Sequence, residues 1–246
     1  MRLPAAEALG QGGDPRFTGD RWREDLINVP GTAIALGKYP VTVQEYQRFV
    51  EDGGYDNPDY WREERAWTFR QAEKWQEPRE WADQLDHPNR PVVGVSWYEA
   101  AAYCVWLGRN KGVKFFLPEE KNWETAATPA QGEYPWGKAD PTPELANYKN
   151  SRISVPTPVG LYPVGNGPHG HCDLAGNVWE WCASPREADV VSDDEVKQFG
   201  PQCVFRGGSW FSAAVELRPW RGVSQAVYRN DILGFRVAAS TVDLRC

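Results

Sequence analysis

The sequence predicts one domain in which a few short helices and short strands alternate with much irregular backbone. Clear helical spacing of apolar residues is confined to three stretches, and each of them is short. From Pro129 onward Pro, Gly and Asn recur every few residues, which is typical of turns between short strands. No linker marks a boundary, and 246 residues suffice for one large core. We therefore expect a flexible lead-in over residues 1–20 and a single domain over residues 21–246.

The composition excludes several classes of function. A net charge of −7 disfavours a nucleic-acid partner, which would need a basic patch. No apolar run reaches the ~18–20 residues that span a bilayer, and the N-terminus lacks the apolar core of a signal peptide. Five cysteines, an odd number, fit a reducing compartment better than a secreted disulfide framework. We expect no nucleic-acid partner, no membrane insertion and, by default, a cytoplasmic location.

One Met and 20 Pro, with more Arg than Lys, are typical of a protein from a thermophile. We therefore expect the source organism to be a thermophile.

Capping signals place the helices. Thr42–Glu45 is a capping box, and the apolar spacing that follows predicts a first helix that ends near Gly53. A second capping box, Ser96–Glu99, opens a helix that we expect Gly108 to close. A third helix is predicted over residues 118–127, where the proline stands at the start.

A Trp-rich stretch over residues 55–91 separates the first two helices. Its indoles come in two equally spaced pairs, Trp61 with Trp67 and Trp75 with Trp81. One interpretation is that they fix a long irregular loop to the body of the domain. The other is that some of them line a ligand surface, because Trp combines a large apolar area with a polar N–H group.

Six motifs follow one another along the chain in a specific order. They are KYPVT at 38–42, PVVGVSW at 91–97, LPEE at 117–120, GNVWEW at 176–181, RGGSW at 206–210 and GFRVA at 234–238. In this combination the chain, over residues 27–240, resembles the formylglycine-generating enzymes, or sulfatase-modifying factors. The resemblance implies an α+β fold of the C-type-lectin-like kind, with small twisted antiparallel sheets and few helices. Because Arg236 stands among residues of buried type, we expect it to pair with a carboxylate, and Glu180 is the candidate.

Formylglycine-generating enzymes use two cysteines after the RGGSW motif to bind a metal and activate oxygen. The matching positions here are Ser212 and Leu217, and neither side chain is a soft metal ligand. A second branch of the family forms sulfur–carbon bonds with an iron held by histidines of an extra helical domain. The His169–His171 pair of this chain is read as a turn. The sequence thus predicts no redox cofactor and, on the loss of the cysteines, that the chain is not an enzyme.

The family often holds Ca²⁺ at the turn before GNVWEW, through backbone and side-chain oxygens. The resemblance transfers this site to Asp173, Gly176, Val178 and Glu180, and such hard oxygen ligands suit calcium. The alternative is that Asp173 caps its own turn while Glu180 pairs with an arginine. Both interpretations stay open at this point.

A further class within the fold consists of the variable proteins of diversity-generating retroelements. Their C-terminal segment, bracketed by the same two motifs, is rewritten at adenines of a template, so that Asn codons become NNC codons. The residue types that such codons reach occupy Phe211, Ser212, Ala213, Gly222, Val223, Ser224, Tyr228 and Ile232. Trp220, which they do not reach, completes a set of aromatic anchors with Phe211 and Tyr228.

The resemblance therefore predicts a non-catalytic protein whose segment 211–232, diversified by a retroelement, binds a protein or cell-surface ligand. The simpler alternative is a divergent member whose loop drifted after the cysteines were lost. An enzyme with a different site is another alternative, and Glu216 with Arg218 and Arg221 would be its titratable cluster. The remaining alternative is a regulatory or scaffold module.

Overall fold

The computed structural model describes residues 2–17, 22–63, 65–185, 200–219 and 221–245. The helices of these ranges are α1 (Arg2–Gln11), α2 (Val43–Glu51), α3 (Ala66–Ala72), α4 (Trp81–Leu85), α5 (Trp97–Lys111) and α6 (Glu120–Ala127). The strands are β1 (Leu26–Asn28), β2 (Ile34–Gly37), β3 (Phe115–Phe116), β4 (Trp179–Pro185), β5 (Gln202–Arg206), β6 (Arg221–Gln225), β7 (Leu233–Phe235) and β8 (Ala238–Ser240). Short strands, short helices and irregular connections confirm the predicted α+β architecture.

The strands form two four-stranded sheets. The first has the order β1-β2-β8-β3 and is antiparallel throughout, so the C-terminal strand lies between the N-terminal hairpin and β3. The second has the order β6-β5-β4-β7, and its β4–β7 pair is parallel. In this sheet Glu180 lies between Arg206 of β5 and Gly234 of β7. A Cβ atom at Gly234 would approach the carbonyl oxygen of Val92 to 2.5 Å, which explains the glycine of the GFRVA motif.

An aromatic cluster joins α2, α5 and β7. The rings of Tyr46 and Tyr103 stack with their centroids 5.3 Å apart, and Phe235 meets both edge-on. Such pairs stabilise a core beyond the apolar area that they bury. The second sheet is thereby fixed to α2 and α5.

Both predicted capping boxes are present, at Thr42–Glu45 and Ser96–Glu99. Helix α5, however, continues past Gly108 and ends at Gly112, whose φ of 69° is left-handed. A Cβ at Gly108 would lie 2.9 Å from the carbonyl oxygen of Val113. Gly108 therefore permits a close approach of two backbone segments, and the prediction that it closes the helix was wrong.

The N-terminal segment differs from the flexible lead-in that we expected over residues 1–20, because half of it, Arg2–Gln11, forms α1. The carboxylate of Glu7 accepts a hydrogen bond of 2.8 Å from Nε of Arg90 and lies 2.9 Å from Nδ1 of His87. These contacts attach α1 to the loop before PVVGVSW.

The Trp-rich stretch is fixed to the body, as the first interpretation proposed. Trp61, Trp75 and Trp81 are buried, and Trp67 is half-buried. In the ranges that the structure describes, no helix combines the length and apolar character needed to cross a lipid bilayer.

Candidate ligand-binding face

A buried ion pair holds the frame of the site. Nε and Nη2 of Arg236 each donate a 2.6 Å hydrogen bond to the carboxylate of Glu180, and both side chains are 0% exposed. The indole of Trp123 donates to Oε2 of Glu180 at 2.7 Å. Arg236 also donates to the carbonyl oxygens of Gly37 and Cys172, each at 2.9 Å. The predicted pairing is confirmed, and it joins α6, both sheets and the turn before GNVWEW.

The same pairing bears on the predicted calcium site. Both carboxylate oxygens of Glu180 already accept hydrogen bonds, so Glu180 does not fit a calcium ligand, and the alternative interpretation describes it better. Oδ2 of Asp173 accepts a 2.7 Å bond from the amide of Gly160, and burial raises the pKa of Asp173 to about 6. Within the described ranges, no three His, Cys, Asp or Glu side chains are grouped to hold a metal. Calcium at Asp173 and the backbone of Gly176 and Val178 stays a prediction.

The two positions that carry the catalytic cysteines of formylglycine-generating enzymes are buried in this chain. Leu217 is completely buried and packs in an apolar cluster with Tyr134 and Tyr148. Ser212 is also buried, and its Oγ accepts a 3.1 Å bond from the amide of Ser209. We predicted Ser212 on the binding face; instead it faces inward, because this hydrogen bond closes the turn after RGGSW.

Other members of segment 211–232 form an exposed face. The side chains of Phe211 and Tyr228 are 61% and 43% exposed, and Ala213 is exposed as well. Phe211 meets the half-buried Trp210 edge-on, with centroids 5.7 Å apart. Val215, which we did not select from the sequence, is 44% exposed. Its residue type belongs to the set that NNC codons reach, and that signal would have found it.

The strand β6 and the turn after it line a cavity of about 420 Å³ beside this face. Its lining residues are Trp179, Phe205, Glu216, Gly222, Val223, Tyr228, Ile232 and Leu233. Ile232 and Ser224 are half-buried. A Cβ at Gly222 would lie 2.1 Å from the ring of Phe205, so the ring must move before another residue fits there. The cavity is mainly apolar and aromatic, with one carboxylate at Glu216.

Arg229 anchors the segment that carries Tyr228. Its Nε donates to the carbonyl oxygen of Gly94 at 2.9 Å, and its Nη2 lies 3.0 Å from Oε1 of Glu99. The guanidinium stands over the ring of Trp75, 5.3 Å from the centroid. Burial raises the pKa of Glu99, while the charge of Arg229 acts in the opposite direction. Through Trp75, the Trp-rich stretch thus packs against the segment that carries Tyr228.

Two members of the titratable cluster considered for a divergent enzyme, Glu216 and Arg218, have other partners in the described part of the chain. Glu216 Oε2 accepts a 2.7 Å bond from the amide of Ala213, and Arg218 pairs with Glu133 at 2.6 Å. Trp220 lies outside the described residues, as does the side chain of Arg221.

Comparison with known proteins identifies the relatives of this chain. The sequence model of the family described as "Sulfatase-modifying factor enzyme 1-like domain" matches residues 11–241. A protein of Mycobacterium tuberculosis named hercynine oxygenase is 34% identical over 237 residues, which are 87% of this chain and 53% of that protein. Two proteins of Mycolicibacterium with the same name are 34% and 32% identical. The chain spans about half the length of these relatives.

Solved structures with the same fold include Treponema denticola variable protein 1. It has a TM-score of 0.59 and 21% identity, and the match covers 88% of this chain and 91% of that one. CarF has a TM-score of 0.61 at 17% identity, over 87% and 92% of the two chains. At this identity the similarity concerns the fold, and it confirms the C-type-lectin-like architecture. The predicted resemblance to variable proteins is confirmed at the same level.

The prediction that the chain is not an enzyme is contradicted by these comparisons. Three relatives at 32–34% identity are named as oxygenases. Ser212 and Leu217 exclude only the cysteine-based chemistry, and interpreting His169–His171 as a turn sets aside only an iron site held by those histidines. A fold can carry different reactions at different sites, so the loss of one ligand pair is not evidence that the chain lacks enzymatic activity.

Proposed function

The chain belongs to the family of sulfatase-modifying factor enzyme 1-like domains, and we propose that it binds a ligand on the exposed face of residues 211–232. The observation that carries the proposal is the exposure of Phe211 and Tyr228 on a backbone that buried ion pairs hold in place. Large aromatic side chains at the centre of a surface supply most of the free energy in many interfaces. A rigid support reduces the entropy that binding costs.

A protein or cell-surface molecule is the ligand class that this surface suits best. Phe211, Val215 and Tyr228 are exposed side chains of one short segment, and a macromolecular partner can cover all three at once. Diversification by a retroelement is supported by the residue types at exposed positions such as Ala213. The buried Ser212 and the crowded Gly222 are positions where such variation would cost stability.

The binding proposal is tested by replacing Phe211 and Tyr228 together with alanine. A partner captured from the source organism should be retained by the native chain and lost by F211A/Y228A. Val242→Ala is the matched control, because Val242 is an exposed apolar residue outside segment 211–232. Equal capture by all three proteins would exclude this face as the site.

Diversification has its own test, at the level of DNA. A near-copy of the sequence encoding residues 206–238, differing only where the copy has adenine, should lie close to a reverse-transcriptase gene. If the genome contains neither the near-copy nor the reverse-transcriptase gene, diversification is excluded. The chain is then a divergent member of the family whose loop drifted after the cysteines were lost.

Catalysis is a second candidate function, favoured by the identity to hercynine oxygenases. In that case the cavity beside Tyr228 and Ile232 would hold a small substrate in place of a macromolecule. The family branch that forms sulfur–carbon bonds uses histidine-held iron, and the described residues contain no group of ligands that fits it. We therefore derive no step through iron.

Oxygen uptake tests this second candidate. The chain is supplied with hercynine, a thiol and ferrous iron, and consumption that depends on hercynine would support catalysis. The absence of both uptake and hercynine binding would remove hercynine as a substrate of this chain. Phe211→Ala distinguishes the two candidates, because Phe211 is exposed and does not line the cavity. It should weaken the capture of a macromolecule and leave the binding of hercynine unchanged.

A further inference from the structure

A second cavity opens beside the proposed face. Its volume is about 490 Å³, and Trp210, Asn230 and Asp231 contribute to its wall from the two ends of the C-terminal segment. The opposite lining comes mainly from the segment 79–94, which consists of α4 and the loop after it, and from residues 154–156. Trp210 contacts the ring of Phe211, and Nδ2 of Asn230 donates a 2.7 Å hydrogen bond to the hydroxyl of Tyr228, so the cavity borders the face that carries these two residues.

The walls of this cavity are held by hydrogen bonds. The amide group of Gln84 donates to the carbonyl oxygens of Arg79 and Val93, at 2.8 and 3.0 Å, and accepts a 3.0 Å bond from the amide of Val93. The amide of Gly94 donates to the carbonyl oxygen of Asn230 at 2.9 Å. These bonds fix the loop against the C-terminal segment, so the cavity is built into the fold.

Some charged residues around the cavity form ion pairs and others do not. Arg90 is paired with Glu7 at 2.7 Å, and Nδ1 of His87 faces the same carboxylate at 2.9 Å. Arg79 donates to the carbonyl oxygen of Arg229 at 3.2 Å. In the described part of the chain, three exposed carboxylates of the lining have neither a hydrogen bond nor an ion pair; they are Glu80, Asp83 and Asp231. Arg79 has no ion pair within the described residues and keeps its charge, so three unpaired carboxylates face one unpaired arginine and the unpaired charge at this cavity is mainly negative.

Two further features of the lining agree with a binding role. The half-buried Trp210 supplies an aromatic ring, and such rings attract cations through their negative faces. Glu80 and Ser154 have φ angles of 54° and 63°, which are left-handed values for residues that are not glycine. Strained backbone of this kind occurs preferentially at functional sites.

We propose that this cavity receives a lysine or arginine side chain of the protein ligand that covers the face. The inference rests on the proposed function, since it treats the cavity as part of the same binding surface. Charge complementarity carries it: three unpaired carboxylates and an indole attract one long basic side chain. The net charge of −7 adds a long-range attraction for a basic partner.

The experiment uses short capped peptides and the ¹⁵N-labelled chain. Peptides with one central lysine or arginine should shift the signals of the Trp210 indole and the amides of Gly94 and Asn230. A peptide with acetylated lysine, which has the same length and no charge, should bind at least about tenfold more weakly. The triple variant E80Q/D83N/D231N should lose the difference between the two peptides. Asp140→Asn should keep it, because Asp140 is exposed and does not line the cavity.

The outcomes separate this inference from the proposed function. Equal shifts with charged and acetylated lysine, or shifts confined to other residues, would overturn the inference. Saturation by tetramethylammonium with no effect of the lysine peptide would also overturn it, since the site would then belong to a small ammonium ligand. None of these results tests the face itself, which the capture experiment with F211A/Y228A tests separately. Conversely, a charge-dependent response lost only in the triple variant supports the cavity even when no macromolecule is captured.

Discussion

Glu180 and Arg236 form two hydrogen bonds of 2.6 Å with each other, and both side chains are completely excluded from solvent. Removing one partner of a buried pair leaves an uncompensated charge, which costs about 3–5 kcal/mol. We expect Glu180→Gln to lower the free energy of unfolding by that amount. Urea denaturation followed by tryptophan fluorescence measures it.

Asp59→Asn is the matched control for this prediction. Asp59 pairs with Arg109 at 3.1 Å, but both side chains are substantially exposed, and such pairs contribute about 0–1 kcal/mol. A loss in E180Q that is no larger than the loss in D59N would contradict the importance of the buried pair.

Arg229 and Glu99 hold the segment before β7 against the start of α5. In Arg229→Met the carboxylate of Glu99 stays buried without its cation, so we expect faster amide exchange over residues 226–232 and lower stability. The double variant R229M/E99Q should recover part of the stability, because the unpaired charge is removed. Hydrogen exchange by mass spectrometry reports both effects.

Arg109→Met, at an exposed pair, provides the comparison. If R109M and R229M change exchange over residues 226–232 equally, Arg229 does not anchor the face.

Asp173 makes the stability of the chain depend on pH. Burial raises its pKa from 3.8 to about 6, so the folded state holds the proton over a pH range where the unfolded state has lost it. The contribution of Asp173 to the free energy of unfolding therefore falls as the pH rises from about 4 to about 6, by at most about 3 kcal/mol. Asp173→Asn accepts the left-handed φ of 57° and removes the charge. We expect it to be more stable than the native chain at pH 7 and equally stable at pH 4.

Calcium gives this experiment a second comparison. If Asp173 binds calcium, excess Ca²⁺ will raise the melting temperature of the native chain and leave D173N unchanged. A D173N variant that is less stable at pH 7 in the absence of calcium would contradict the role of burial.

The face and the turn beneath it should respond differently to substitution. Phe211→Ala and Tyr228→Ala remove exposed side chains, and we expect each to change the free energy of unfolding by no more than about 0.5 kcal/mol. Leu217→Ala empties a completely buried position and should cost about 2–5 kcal/mol. Thermal denaturation of the three variants tests the contrast. Comparable losses in all three would mean that the face is part of the core.

The sequence by itself determined the family, the class of fold and several local features. Capping boxes can be predicted from a few adjacent residues of the sequence, because Thr42 and Glu45, like Ser96 and Glu99, contact each other within one turn. The Glu180–Arg236 pair was also predictable, because a charged residue among apolar neighbours requires a partner and the motifs offered one. The exposed Phe211 and Tyr228 agree with the residue types of the segment.

Only the tertiary structure decided which residues of one segment face outward and what supports them. Ser212 and Phe211 are adjacent in the chain and belong to the same codon class, yet a hydrogen bond to Ser209 turns one of them inward. In the sequence Gly108 resembles a glycine that ends a helix. In the structure it lies inside α5, where the backbone of Val113 approaches too closely for a side chain. The contacts of Arg229 with Glu99 and of Gly94 with Asn230 join positions more than a hundred residues apart. Local patterns reflect the conformation of a few neighbouring residues, whereas burial and pairing depend on which distant segments the whole fold brings together.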